Sequence, residues 1–274
     1  MANEIAGVRR VIAVASGKGG VGKSTTAMNL AVALGLRGLR VGVLDADVYG
    51  PSQPRMLGVK DAKPESDGQW IEPVVAHGVV VMSMGFLVDE ATPTVWRGPM
   101  VQSALTQMLR QVRWGTDENP LDVLVLDMPP GTGDTQLSIT QNVALAGAVI
   151  VSTPQDIALI DARKGLEMFK KVNVPVLGVV ENMSVFCCPN CGHESHIFGA
   201  HGAAAMADEL GYEVLAEVPL ELEIREHTDN GRPLVIAAPD SKGAAVYRKL
   251  AERVWEKISL PVAEGSGPVR IVIE

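Results

Sequence analysis

Short apolar runs alternate along the chain with segments of helical periodicity. The apolar runs are nearly continuous stretches of Val, Ile, Leu and Ala, which is typical of strands buried on both faces of a parallel sheet. The pattern predicts strands within residues 8–16, 39–47, 77–85, 121–131, 146–154, 174–184 and 212–219. It predicts helices between them, among others over residues 24–36, 100–113 and 157–171.

This order of elements predicts an α/β fold, with a doubly wound, mostly parallel sheet and helices on both faces. Ligands of such sheets bind at the carboxyl ends of the strands. We expect one domain over residues 1–259, with a surface excursion at residues 60–73. A tail over residues 260–274, with a Gly/Ser/Pro joint, is predicted to follow it.

Composition and charge exclude several classes of protein. The chain of 274 residues has a formal net charge of −8 and 4% aromatic residues, so it lacks the basic field and the stacking surfaces typical of nucleic-acid binding. No signal peptide and no uncharged apolar segment of about 18 residues is present. We therefore expect a cytoplasmic protein with neither nucleic acid nor a membrane as a partner.

A glycine-rich loop lies between the first predicted strand and the first predicted helix. It matches the pattern G-x-x-x-x-G-K-[ST] in the context that a phosphate-binding loop requires. Its glycines let backbone N–H groups surround phosphate oxygens at a helix N-terminus. Lys23 is predicted to neutralise the β- and γ-phosphates of ATP, and Ser24 to ligate Mg²⁺. The predicted nucleotide-binding loop comprises Gly17, Gly19, Gly20, Val21, Gly22, Lys23, Ser24 and Thr25.

Lys18 is a second lysine in this loop, and one lysine already serves the phosphates. It is either a solvated loop residue or a cation directed at the nucleotide of a second subunit. In the second case it would compensate charge in trans, as an arginine finger does.

Acidic residues follow two of the predicted strands. Asp45 and Asp47 come at the end of one strand, where carboxylates can orient Mg²⁺-bound water or the attacking water. Asp127 ends a later strand, in the place of a second acidic residue of a metal site, and Gly131 follows in a loop able to approach a γ-phosphate. Taken singly, each aspartate could equally cap a helix or a turn.

The three cysteines lie together in CCPNCGH, residues 187–193. Cys188 and Cys191 form a C-x-x-C pair, whereas tetrahedral zinc and iron–sulfur clusters typically require four ligands. His193 and His196 could complete a zinc site, or the pair could be a redox disulfide. A two-fold partner could instead supply a second pair. Thiolate chemistry alone favours neither zinc nor an iron–sulfur cluster.

These motifs resemble a known family. GKGGVGKST is similar to the deviant Walker A motif of the MinD/ParA-type, SIMIBI-class P-loop ATPases, in which the early lysine is the signature lysine. A further set of motifs resembles the Mrp/ApbC subfamily of iron–sulfur carrier ATPases over roughly residues 8–258: DADVYGPSQPRMLG, WRGPMVQSALTQML, DMPPGTGDTQLSITQ, ENMSVFCCPNCG and PLELEIREHTDNGRPLV.

The resemblance implies a homodimer that binds and hydrolyses ATP and holds a 4Fe–4S cluster between its subunits. It would receive the cluster from a donor or scaffold and pass it to apo-proteins. By position, Lys18 is the signature lysine and Lys23 the phosphate-binding lysine, both expected to be catalytic. Asp47 matches the water-orienting, catalytic position, Asp127 the Walker B position, and Ser24 the Mg²⁺ ligand.

The resemblance also covers residues beyond the phosphate loop. Cys188 and Cys191 match the pair that bridges the cluster, and Asn182 and Pro219 match positions near adenine. Cys187 has no role in the family pattern. Many relatives begin with an additional small domain, and we expect this chain to lack it.

Other ATPases share the loop. A spatial-organising ATPase of the MinD or ParA kind is expected to carry an amphipathic terminus or a basic face, which this acidic sequence does not favour. An electron carrier like the nitrogenase reductase uses separated cysteines rather than one C-x-x-C pair. The remaining alternative is a zinc-stapled dimeric ATPase with a spatial-organising or regulatory role.

Overall fold

A central β-sheet organises the part of the chain that the computed structural model describes, residues 4–87 and 98–260. Its strands are β1 (Val11–Ala15), β2 (Val41–Asp45), β3 (Val74–Ala76), β4 (Val79–Ser83), β5 (Val123–Asp127), β6 (Gly147–Ser152), β7 (Val176–Cys187), β8 (Glu194–Ser195) and β9 (Val214–Leu220). Their order is β3-β4-β2-β5-β1-β6-β7-β8, with β9 also paired to β7. Apart from Leu260, the predicted tail over residues 260–274 lies outside the described residues.

The predicted parallel sheet is confirmed, with two antiparallel additions. The pairs between β1, β2, β4, β5, β6, β7 and β9 are parallel. Strand β3 pairs antiparallel with β4, and β8 pairs antiparallel with β7. The hydrophobic pattern does not predict β3 or β8, because strands of three and two residues are too short to show a period.

Helices connect the strands. They are α1 (Lys23–Leu36), α2 (Gln53–Met56), α3 (Gly98–Arg110), α4 (Asp134–Asn142), α5 (Asp156–Lys171), α6 (Gly202–Leu210), α7 (Leu222–Asp229), α8 (Leu234–Ala237) and α9 (Lys242–Ser259). In the described ranges, none of them combines the length and the apolarity needed to cross a bilayer.

One predicted helix is longer than the helix observed. The periodicity predicts a helix to residue 113, but α3 ends at Arg110. The backbone beyond it pairs instead with Ile71, whose N–H donates to the carbonyl of Gln111 at 2.8 Å and whose carbonyl accepts from Arg113 at 2.9 Å. The largely exposed excursion at residues 60–73 therefore returns to the body of the protein at its end.

The core runs through the centre of the sheet and along α1. Strands β1, β2 and β5 are buried at every position. Helix α1 is buried from Thr26 to Leu34 because it packs against both the sheet and α9. Buried polar residues include Asp45 and Asp127, at the carboxyl ends of β2 and β5, and Asn182 within β7. The polar groups of the interior therefore collect at the edge of the sheet where ligands of this fold bind.

Asp45 anchors the segment that follows β2. Its carboxylate accepts hydrogen bonds from the backbone N–H groups of Ser52 and Gln53, at 2.8 and 3.0 Å, and from the hydroxyl of Ser83 at 3.2 Å. Burial, together with the nearby carboxylate of Asp127, raises the pKa of Asp45 to about 7. The fold therefore holds a carboxyl group whose charged form is disfavoured by its surroundings.

This raised pKa predicts how stability changes with pH. Between 3.8 and about 7, folded Asp45 keeps a proton that the unfolded chain has released, so its contribution to stability falls as pH rises through this window. Asp45→Asn, which cannot ionise, should remove that fall. The free energy of unfolding of the parent and of Asp45→Asn is measured with denaturant across this pH window. Asp240→Asn, which removes one exposed carboxylate, is the control. An unchanged pH dependence in Asp45→Asn would contradict the assignment.

Candidate functional site

The loop between β1 and α1 has the backbone form that its glycines permit. Gly22, at the start of α1, has φ 81°, a conformation that other residues rarely adopt. A Cβ atom there would also collide with the side-chain amide of Asn182, and one on Gly17 would collide with the backbone of Asp161. The amide of Asn182 donates to the carbonyl of Val21 at 2.8 Å. Strand β7 therefore holds the loop in place from one side.

Lys23 and Asp127 form a buried ion pair beneath this loop. The ammonium of Lys23 also donates to the hydroxyl of Ser24 at 3.2 Å. The second oxygen of Asp127 accepts from the side-chain amide of Gln53 at 2.8 Å, and the same amide donates to the carbonyl of Ser24 at 3.0 Å. The structure thus brings three sequence-predicted residues, Lys23, Ser24 and Asp127, into one network.

A cavity of about 240 Å³ opens above this network. The half-buried Asp47 lines it, and one of its carboxylate oxygens accepts the N–H of Gly50 at 3.2 Å. Gly131 does not line the cavity, but its N–H donates to the carbonyl of Ser16 at 3.1 Å and its φ is 94°. The loop after β5 is thereby fastened to the phosphate loop. The predicted residues in the lining are Lys18, Gly19, Gly20, Gly22, Lys23, Ser24, Thr25 and Asp47.

A second cavity, of about 290 Å³, adjoins the first. Asn182 and Pro219, which the family resemblance matches to positions near adenine, both line it. The two cavities share Gly22, Thr25 and Met56 in their linings, so they form one continuous groove. The second cavity is the more apolar part, with Met56, Met183, Leu220 and Ile224 in its walls. A phosphate-bearing ligand with a flat apolar base would fit such a groove.

The residues of the groove and of the network beneath it that were not predicted from the sequence include Gln53, Met56 and Met183. Gln53 is fully buried in a helix of four residues, and Met183 has φ 57° within β7. No local pattern marks a glutamine or a methionine as part of a site. Their proximity to the phosphate loop depends on the tertiary packing of α2 and β7.

Lys18 lies at the border between the groove and an apolar surface. It is half-buried, and it lines the first cavity as well as a third one of about 500 Å³. The third cavity also includes Ile157 and Ile197, which are 69% and 57% exposed. The position of Lys18 is therefore compatible with contacts that reach beyond its own phosphate loop.

The cysteine hairpin lies at the far end of β7, where β8 turns back on it. The N–H of Cys188 donates to the carbonyl of His193 at 2.9 Å, and the N–H of Gly192 donates to the carbonyl of Cys188 at 2.8 Å. Hydrogen bonds from the backbone N–H groups of Cys191 and Asn190, with a contribution from the Cys191 thiol, lower the pKa of Cys188. Both thiols are free, Cys188 half-buried and Cys191 exposed. The hairpin thus favours the thiolate form of Cys188, beside the exposed thiol of Cys191.

The histidines near the hairpin do not close a metal site with these thiols. His196 turns toward β7, with its Nδ1 atom 3.0 Å from the carbonyl oxygen of Ser184. In the described part of the chain, the donor atoms that lie within 4.8 Å of one another in a group of three belong to Glu181, His201 and Glu217. Within residues 4–87 and 98–260, the cysteines and histidines of the hairpin therefore do not form the zinc site that the sequence left open, and the cysteines are not joined by a disulfide.

Comparisons with known proteins agree with this arrangement. A family model described as ParA, NUBPL iron-transfer P-loop NTPase, matches residues 7–255. The iron–sulfur cluster carrier protein of Pseudomonas fragi is 59% identical over 90% of this chain and 85% of its own length. The iron–sulfur cluster transfer protein NUBPL of Mus musculus is 57% identical over 93% of this chain and 79% of its own length.

Solved structures match as well. A nucleotide-binding protein from Archaeoglobus fulgidus in complex with ADP superposes with a TM-score of 0.72 at 38% identity, covering 82% of this chain and 88% of that one. The septum site-determining protein MinD from Pyrococcus horikoshii, complexed with Mg-ADP, has a TM-score of 0.66 at 25% identity over 89% and 95% of the two chains. This chain belongs to the ParA/NUBPL family of iron-transfer P-loop NTPases.

Proposed function

We propose that this chain is a cytoplasmic iron–sulfur cluster carrier that binds and hydrolyses ATP. Two copies would hold a 4Fe–4S cluster between them, receive it from a donor or scaffold, and pass it to apo-proteins. The observation that carries the proposal is the open hairpin of Cys188 and Cys191, which presents two thiols and no third ligand within the described part of its own chain. The names of the relatives point the same way.

ATP is the proposed ligand of the groove. Its phosphates would lie in the first cavity, where Lys23 would exchange the carboxylate of Asp127 for the β- and γ-phosphates. The hydroxyl of Ser24 and the carboxylate of Asp127 are oxygen donors of the kind Mg²⁺ prefers; Ser24 would hold the ion, which neutralises charge on the phosphates. Asp47 would orient the attacking water from the cavity wall. The base would lie beside Asn182 and Pro219 in the second cavity.

Lys18 is proposed to act on the nucleotide of the partner subunit. Lys23 already sits beneath its own phosphate loop, paired with Asp127, so its chain needs no second lysine there. Lys18 instead borders a surface with exposed isoleucines. Exposed apolar patches of this kind are typical of surfaces that a second subunit covers. A cation from the second subunit would compensate the charge that develops on the γ-phosphate.

The cysteine pair is proposed to supply half of the cluster's ligands. The lowered pKa of Cys188 favours the thiolate, which is the form that binds metal. A two-fold axis would bring an identical pair from the partner and complete a four-thiolate site. Because Cys191 is exposed and only two ligands come from each chain, the cluster would be released readily. A cluster that is released readily suits a protein that carries clusters to other proteins.

Removal of the phosphate-binding lysine should impair nucleotide binding. Lys23→Ala loses a charge-assisted contact worth about 1.5–3 kcal/mol, so ATP should bind about 10- to 150-fold more weakly. Binding is measured by titration with ATP and Mg²⁺. Because Lys23 also neutralises the buried Asp127, a thermal unfolding scan must establish that the variant is folded. ATP binding and turnover equal to those of the parent would refute the assignment.

Lys18 should be needed for hydrolysis and much less for binding. Lys18→Ala should keep ATP affinity far better than Lys23→Ala, yet lose turnover. Mixed with Asp47→Asn subunits, which retain Lys18, it should recover activity, because one site of each mixed dimer then has both Asp47 and a partner's Lys18. If confirmed mixed dimers stay inactive, Lys18 does not act in trans.

The cysteine pair should be required for the cluster but not for ATP. Anaerobic incubation with iron and sulfide should load about four irons and four sulfides per dimer. Cys188→Ser and Cys191→Ser should each abolish this loading and the characteristic absorption, while ATP binding persists. Cys187→Ser is the matched control and should load normally. A tightly held zinc that resists iron and sulfide would instead favour the zinc-stapled ATPase.

A further inference from the structure

A second group of metal-ligating side chains lies beside β7, apart from the thiols. The donor atoms of Glu181, His201 and Glu217 all lie within 4.8 Å of one another. Glu181 and Glu217 are direct neighbours across the parallel pair of β7 and β9, and His201 immediately precedes α6. Three separate segments of the chain therefore bring two carboxylates and one imidazole to a single point.

Glu181 lacks a partner for one of its oxygens. The side chain has no exposed surface, and its Oε2 atom accepts the N–H of Ala203 at 2.6 Å. Its Oε1 atom is buried without a hydrogen-bond partner among the described residues. An unsatisfied buried acceptor is costly, and more so when it carries charge. Burial and the neighbouring Glu217 both raise the pKa of Glu181, because both disfavour its charged form.

The neighbouring carboxylate increases the local negative charge. Two carboxylates that share a site repel each other, and the donor oxygens of Glu217 and Glu181 lie within 4.8 Å of each other. The imidazole of His201 is a basic group that lies close to both carboxylates. Even when protonated, one imidazole offers a single positive charge to two carboxylates. A divalent cation would balance the charge of both carboxylates.

We propose that Glu181, His201 and Glu217 bind a divalent transition-metal ion at a site separate from the cysteine pair. Two carboxylates and an imidazole suit zinc, manganese or ferrous iron. Three protein ligands leave coordination positions for water, as in open zinc sites. The ion would give the Oε1 atom of Glu181 its missing partner and would balance the charge of both carboxylates.

The place of this site in the fold gives the ion a structural effect. It would join β7, β9 and the start of α6. In β7, Glu181 is followed directly by Asn182, which holds the phosphate loop, and the same strand ends at Cys187. A bound ion would therefore stiffen the strand that connects the two sites described above.

The test uses the full chain carrying Cys187→Ser, Cys188→Ser and Cys191→Ser, so that none of its three cysteines can capture the ion. Metal-depleted protein without nucleotide is titrated with Zn²⁺ by calorimetry and with Co²⁺ by absorption. One ion per chain is expected, with a cobalt spectrum free of thiolate bands and a raised temperature of unfolding. His201→Ala and Glu217→Gln, both at exposed positions, should each weaken binding by at least about tenfold.

Matched controls lie on the hairpin. His193→Ala and Glu194→Gln also remove an exposed imidazole and an exposed carboxylate, and both should bind the ion as the parent does. Glu181→Gln should lose binding while remaining folded in a thermal scan. The proposal fails if the parent binds no stoichiometric ion, as expected if Glu181 is merely protonated or paired with His201. It also fails if His201→Ala and Glu217→Gln bind as well as the controls.

Discussion

The buried ion pair of Lys23 and Asp127 is the interaction on which the arrangement of the groove depends. It joins the first residue of α1 to the last residue of β5, and breaking such a pair by removing one partner costs about 3–5 kcal/mol. Gln53 satisfies the remaining oxygen of Asp127, so α2 is tied to the same point. The ammonium group that we propose to bind phosphate is thus paired with a carboxylate in this structure. Under the proposed function, nucleotide binding would be an exchange of partners by this one ammonium group.

Much of this architecture could be predicted from local patterns. Continuous apolar runs identify the parallel strands, because both faces of those strands are buried, and the glycines of the phosphate loop stand where backbone sterics demand them. The short strands β3 and β8 escape prediction, since neither is long enough to show alternation. Gln53 and Met183 escape it for another reason. They contribute to the groove only because α2 and β7 pack against the loop. The residues near them in sequence do not indicate that tertiary contact.

The cysteine hairpin could also be predicted from the sequence only in part. The C-x-x-C spacing with a following glycine predicts two thiols that face one point, and the hairpin has this form. Which further ligands join them is a question of long-range geometry. His196 is close in sequence, yet it is turned toward the carbonyl of Ser184. The group of Glu181, His201 and Glu217 is invisible in the sequence, because its members come from three segments that only the sheet and α6 bring together.

The position of β1 in the sheet has a consequence for biosynthesis. This strand lies between β5 and β6, pairing Val11 with Leu124 and Ile12 with Gly147, so it leaves the ribosome before both neighbours and must wait for them. At about 5–20 residues per second, that wait is roughly 7 to 30 s. During it, a fully apolar strand stays unpaired and prone to aggregation. The nascent chain is therefore a natural client for chaperones until β6 has emerged.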